Sequence, residues 1–217
     1  MSDHIGACLD EMYVRIIGRT PIILNNYCPV NSKNKYYNAF IFPKQGFEKE
    51  LASRYHIDDK GFVCIPAMSI KRCIIDSLKG SGIAKNNLLR SLFVSSIGGT
   101  YSLIPISFSR CNIVNICQTI KLSRTGEIVH KKYNPTITKW STVFNIKFDE
   151  KIIDRYEVLD AISSAGFSEG LGDSRPGNGG TYGSFELDPR SGTSAMNFRV
   201  AFSLAATKFS RTHFSIG

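Results

Sequence analysis

Met68-Ser69-Ile70-Lys71-Arg72-Cys73-Ile74-Ile75-Asp76-Ser77-Leu78-Lys79 is the stretch on which the reading of this chain turns. Ile70, Cys73, Ile74 and Leu78 repeat at the spacing of one helical face, while Lys71, Arg72, Asp76 and Lys79 fall off it. Ser69 is placed to cap the first turn, and Gly80-Ser81-Gly82 supplies the stop. Just upstream, Phe62-Val63-Cys64-Ile65 reads as a short strand halted by Pro66.

Farther out, Met12 to Thr20 mixes β-branched and aromatic residues and ends at Thr20-Pro21, a strand with a sharp exit. Downstream, Leu88–Ile97 fits either a helical turn or a strand. Ile113–Leu122 reads as a strand, Ser123 to Glu127 as a turn, and Ile128-Val129-His130 as the return. In Thr142–Phe148, the residues Thr142, Phe144, Ile146 and Phe148 share one face and leave Asn145 and Lys147 on a solvated one. A second helix is expected over Ile153–Ala165, with Ile152, Tyr156, Leu159 and Ile162 as its apolar stripe and Asp154 near its start. Thr181–Leu187 closes as a strand, and Asn197–Leu204 has strand-like composition.

Strand, helix, strand, strand, helix, strand is the split βαβ order of an α+β, ferredoxin-like (RRM-like) core. A single domain over 1–217 is expected, with an Asn-rich insertion at about 25–61 that includes a short helix around 47–55, and a basic hairpin at about 110–140. No run of apolar residues reaches membrane-spanning length, and Met1 to Gly6 lacks the pattern of a secretory leader, so a cytoplasmic location with no membrane partner is expected.

Lys and Arg exceed Asp and Glu by 27 to 18, a net charge of +9, which favours a polyanionic partner. The excess is segregated. Residues 110–140 hold six bases (Arg110, Lys121, Arg124, Lys131, Lys132, Lys139) and one acid, whereas 148–173 hold seven acids and two bases. The six cysteines form no metal-ligand spacing with the four histidines, so free thiols and no metal are expected.

Gly166 to Gly183 contains seven of the 18 glycines. It follows a helix and precedes a strand, the reverse of a phosphate-cradling nucleotide motif, so no nucleotide cofactor is expected. Two readings remain: backbone N–H groups that approach an anion, aided by Arg175 and by Tyr182 as a stacking ring, or a helix-to-strand turn in which glycines permit close packing. Trp140 likewise reads either as a base-stacking ring or as a core anchor.

Three of these segments resemble one family. Gly18-Arg19-Thr20-Pro21-Ile22-Ile23-Leu24 resembles the end of the first strand in the RAMP superfamily of CRISPR-associated proteins. Ile65-Pro66-Ala67-Met68-Ser69-Ile70-Lys71 resembles its entrance to the first helix, with Arg72 where the family has glycine. Gly170–Phe185 resembles its C-terminal glycine-rich loop, interrupted here by Asp173-Ser174-Arg175-Pro176, a variant similar to small stand-alone members of phages and prophages. The resemblance implies a Cas7-like subunit that binds single-stranded guide RNA, with single-stranded DNA as the other candidate. Such a subunit polymerises head-to-tail along the strand beside other CRISPR subunits, and its basic hairpin protrudes. The nucleic-acid-binding residues so nominated are Lys71, Arg72, Arg124, Lys131, Lys132, Arg175, Gly177, Gly179, Gly180 and Tyr182. The loop from Asn25 to Tyr37 has no Asp or Glu, so the aspartate-dependent target cleavage of some relatives is not expected, and the chain is read as a non-catalytic binder. Two alternatives stand beside it: a phage-encoded mimic that inhibits a CRISPR complex by subunit substitution, and a Cas6-like, metal-independent endoribonuclease whose candidate acid-base residues are His4, His56, His130 and His213, with His130, beside Lys131 and Lys132, foremost.

Overall fold

The computed structural model describes residues 8–25, 54–97, 101–122 and 126–209. Arg124 and most of the expected short helix around 47–55 lie outside them. The first strand, β1 (Leu9–Gly18), alternates as its sequence predicts: Met12, Val14 and Ile16 turn inward and are buried. The short β2 (Ile22–Ile23) follows the Thr20-Pro21 exit, and β3 (His56–Ile57) pairs with β4 (Val63–Pro66).

Helix α1 (Ala67–Ser77) springs directly from β4. Pro66, not Ser69, occupies the cap position, and no side chain caps the helix; the Ala67 N–H instead donates to the Ser102 carbonyl at 2.8 Å. The ambiguous stretch resolves into both structures, α2 (Lys85–Ser91) and then β5 (Leu92–Ser96). β6 (Leu103–Ser107), a strand not anticipated from sequence, precedes a long hairpin of β7 (Arg110–Leu122) and β8 (Gly126–Thr138). β9 (Ser141–Asp149) leads into α3 (Arg155–Ser168), where Asp154 and Glu157 form a reciprocal capping box. The apolar stripe of α3 differs from expectation: Val158, Ala161, Ile162 and Ala165 are buried, but Tyr156 is 81% exposed.

β10 is only Phe185–Leu187, because residues 171–184 spend their hydrogen bonds elsewhere. The tail is a helix, α4 (Phe198–Phe209), rather than a strand. Asn197 caps it by accepting the Val200 N–H at 3.1 Å, a local bond that outweighs the β-prone composition.

One sheet runs β10-β1-β9-β6-β4-β3, with β5 also on β9. β5 pairs with Phe148–Phe144 and β6 with Thr142–Ser141, so the two strands lie end to end along the same β9 edge. All these pairings are antiparallel. The neighbours β10-β1-β9-β5, interleaved in the chain with α1 and α3, make an α+β fold consistent with a ferredoxin-like core.

Helices α1 and α3 cover one face, over Val14, Ile16, Phe144, Ile146 and Phe148. The opposite face is not fully solvated as expected: Ala201 of α4 and Met196 bury Val143 and Ile97 there, and Asn145 is buried too. β2, β8 and β7 form a separate three-stranded sheet. Among the described residues no helix is long and apolar enough to cross a membrane, and Cys8, Cys64, Cys73 and Cys111 are free thiols.

Candidate nucleic-acid interface

The glycine-rich segment folds back on itself and is pinned to the body at two points. Leu171 N–H donates to the Gly183 carbonyl at 2.9 Å, Asp173 N–H to Ile23 at 2.9 Å, Tyr182 N–H to Ser174 at 3.1 Å, and Gly183 N–H to Pro21 at 2.8 Å. At Gly183 (φ 73°) a Cβ would stand 1.7 Å from the Leu171 carbonyl oxygen, and at Gly180 one would stand 1.8 Å from that of Ser174. These glycines are there because two backbones touch. The N–H groups of Gly177, Gly179 and Gly180, nominated to meet an anion, donate to the carbonyls of Glu169, Pro176 and Arg175 at 3.0, 2.8 and 3.0 Å. They are engaged within the loop; close packing accounts for Gly177 and Gly180, while Gly179 is open and sits in the left-handed region that ends a short turn of helix.

Beside that loop lies a cleft of about 290 Å³. Its walls are the first turns of α1, β4, β2 with the residues just after it, His56 of β3, and residues 170–173 with Arg175. Two nominated residues meet there. Arg72, exposed on the first turns of α1, and Arg175, from the glycine-rich loop, both line it, although more than one hundred positions separate them in sequence. Arg175 Nη1 is held by the Glu169 carbonyl at 3.2 Å and its carboxylate at 3.4 Å, which fixes the guanidinium at the rim. Pro66, at the cap of α1, and Ser69, in its first turn, line the same space, where the helix dipole favours negative charge.

Of the cleft's remaining polar groups, His56 is one of the four candidate histidines, while Asn25 and Asp173 are not anticipated from sequence. His56 lines it, and burial pushes its imidazole below the usual histidine range, so it is neutral at pH 7. Asn25 and Asp173 also line it. Asn25 Nδ2 donates to Asp173 Oδ2 at 2.9 Å, Arg54 Nη1 donates to Asn25 Oδ1 at 3.2 Å, and Asn134 Nδ2 of β8 donates to Asp173 Oδ2 at 3.4 Å. This network joins the loop, the exit of β2 and the root of the hairpin. Cys64 and Cys73 complete the wall as thiols; burial raises both, Cys73 to about 12.

The other nominated residues lie elsewhere. Lys71 Nζ donates to the Leu89 carbonyl at 2.6 Å and sits 5.2 Å from the Phe93 ring centroid; burial lowers its ammonium pKa. Lys131 and Lys132 lie on β8, opposite Cys117 and Ile116. Tyr182 is half-buried in the loop, and Gly179 (φ 77°) is open. Trp140 is a core anchor and not a free stacking ring: it is 1% exposed, donates Nε1–H to the Thr20 carbonyl at 2.9 Å, and packs against Gly18 and edge-on to Phe185.

No family model matches this sequence, and no curated protein does. Solved structures do. A chain of the Type III-B Cmr-beta complex bound to cognate target RNA aligns at 15% identity with a TM-score of 0.53, over 83% of this chain and 59% of that one. Cmr6 from Pyrococcus furiosus aligns at 8% identity and a TM-score of 0.42, over 83% of this chain and 99% of that one. A chain of a CRISPR RNA-guided surveillance complex aligns at 13% identity and a TM-score of 0.31, over 81% of this chain and 66% of that one. Only the first score indicates a shared fold, and this chain spans about three-fifths of that relative.

Proposed function

We propose that this protein binds single-stranded nucleic acid, RNA foremost, by its sugar-phosphate backbone, and coats the strand as a Cas7-like subunit with no chemical step of its own. The observation that carries the reading is the meeting of Arg72 and Arg175 at one cleft beside the start of α1. A guanidinium offers a planar fork to phosphate oxygens, and a helix start adds aligned dipoles. The fold shared with a chain from an RNA-bound Type III-B complex supports the same reading. The segregated positive charge supplies a sequence-independent attraction.

A fluorescence titration of labelled RNA and DNA strands across a salt series tests it. Displacing counterions from about five phosphates gives a log–log slope near −3.5, and removing Arg72 or Arg175 reduces it by about 0.7 each. Affinity that is absent, or indifferent to salt, would overturn the reading.

One observation favours a second reading, metal-independent RNA cleavage. A neutral imidazole, His56, shares the cleft with both guanidinium groups. Such a group can take the proton from a ribose 2′-hydroxyl while the arginines hold the phosphate. His56, rather than His130, is the residue to test: turnover of a labelled RNA that disappears in His56→Ala would replace the binder with a ribonuclease.

A further inference from the structure

On the sheet face away from α1 and α3, the register sets Glu11, Lys147 and Phe93 in one row across β1, β9 and β5, and Tyr13, Asn145 and Ser95 in the next. Farther along, α4 and Met196 cover the face and bury Val143 and Ile97. The first row stays open. Phe93 is 54% exposed there, and Tyr101, whose carbonyl accepts the Ser96 N–H at the end of β5, is 75% exposed. Glu11 foremost, then Tyr101 and Tyr13, hold the Lys147 ammonium above the usual lysine range, so both phenols stand near that cation. Along the margin of α4 the rings continue: Phe198 meets Tyr13 edge-on with centroids 5.8 Å apart, and stacks with Phe202 at 5.8 Å. Both phenylalanines are exposed.

A single exposed ring needs no explanation, but a set of them on one open face does. Their setting indicates the ligand. Polar side chains separate Phe93 from Tyr13, and no aliphatic patch joins them: of the exposed large aliphatic side chains, Met68 is on α1 and Leu9 only at the tip of β1. Isolated rings with their faces free suit nucleobases, since every base has a π-face to lay on them. The charge agrees. Lys71 Nζ lies 5.2 Å from the Phe93 centroid, Lys147 stands opposite Phe93 in the register, and residues 190–217, which include α4, hold four bases and no acid.

We propose that this open face is a second nucleic-acid site, a platform on which unpaired bases of a single strand stack, with Phe93 and Tyr101 as its principal rings. The cleft grips phosphates, and the platform takes bases without reading their identity. The platform shares the ligand class of the function proposed above and rests on that reading.

Fluorescence anisotropy of the full chain with a labelled oligouridine strand, and with an abasic ribose-phosphate strand of equal length, tests the platform. The wild type is expected to bind the oligouridine at least about tenfold more tightly than the abasic strand, the size of stacking on one or two rings. Phe93→Ser/Tyr101→Ser, at two exposed positions, keeps the melting temperature and the abasic affinity and erases the difference. Phe93→Tyr/Tyr101→Phe retains it. Arg72→Ala/Arg175→Ala weakens binding of both strands and leaves their ratio in place. Equal affinity of the wild type for the two strands overturns the platform and leaves the cleft standing, and so does a serine variant whose preference for bases is undiminished. If the arginine variant binds oligouridine like the wild type while the serine variant does not, the platform stands and the cleft falls. No affinity for either strand overturns both.

Discussion

The glycine-rich loop and the β7–β8 hairpin both look like ligand-binding devices in the sequence, one for its glycines and one for its lysines. In the fold they are opposites. The loop is tied to the body by the Asp173 N–H on Ile23 and the Gly183 N–H on Pro21, and to itself by Leu171 and Tyr182. The hairpin holds mainly to itself and meets the body at its root, through Ile22, Ile23 and the Leu24 N–H on the Pro135 carbonyl at 2.9 Å. The lesson is that glycine density here records tight turns and places where backbones touch, while charge density marks a hairpin that pairs mainly with itself. The loop supplies rigidity to the cleft, and the ribbon supplies reach.

That contrast is breakable, most sharply at Gly183. Gly183→Val puts a branched side chain where a Cβ alone would be 1.7 Å from a carbonyl oxygen. It is expected to cost about 4 kcal/mol and lower the melting temperature by roughly 8–16 °C in a domain of this size. An unchanged calorimetric transition would show the loop to be as loosely attached as the ribbon.

Next in size is Trp140→Phe, at the junction of hairpin and body. It keeps a ring beside Phe185 but removes the donor to the Thr20 carbonyl, which costs about 1–3 kcal/mol by denaturant titration. A silent substitution would mean that the hairpin root contributes nothing to the body.

Beyond β10 the chain is clamped by charge at Asp188, which bonds Arg190 at 2.8 Å and Arg15 at 3.2 Å. Its hydrogen bonds to Arg190 come first in holding the carboxyl down to about 2. A carboxyl depressed on folding stabilises the protein above its ordinary pKa of about 3.9, and that contribution drains away as pH falls through about 2. Melting temperature followed from pH 5 to pH 2 should therefore fall less steeply in Asp188→Asn, which starts lower. Parallel curves would remove Asp188 from the clamp.

The smallest expected effect lies on the ribbon. Deleting Cys117–His130 and closing the strands with a short turn should move the melting temperature by no more than about 1 °C, because the fold does not rest on that segment. A large drop would break the comparison from the other side.

Much of the architecture is legible in the sequence, because α1 and β1 each bury one face and their periodicity says so; β9 announces its inner face in the same way but buries most of the other face too. Helix α4 is not legible. Its Phe198, Val200 and Phe202 favour strands, and the decision falls to the Asn197 cap and to Ala201 against the sheet. The cleft is half legible. Arg72 and Arg175 stand out as bases beside an expected helix and an expected loop. Asn25 and Asp173 are 148 positions apart and meet only because Ile23 bridges to Asp173, which no local pattern announces. His56 is placed by its pairing opposite Cys64 and has no local signature either.

The pairing of β1 with β9 has a consequence during synthesis. Leu9 lies opposite Asp149, so the first strand waits for 140 further residues before its partner exists. At about 5–20 residues per second, that is an interval of roughly 7–28 s. Throughout it Met12, Val14 and Ile16 have no completed sheet to enter, and β1 is a ready template for pairing with another nascent chain. Shelter for that one strand on the ribosome is thus a separate demand, which the stability of the finished fold does nothing to relieve.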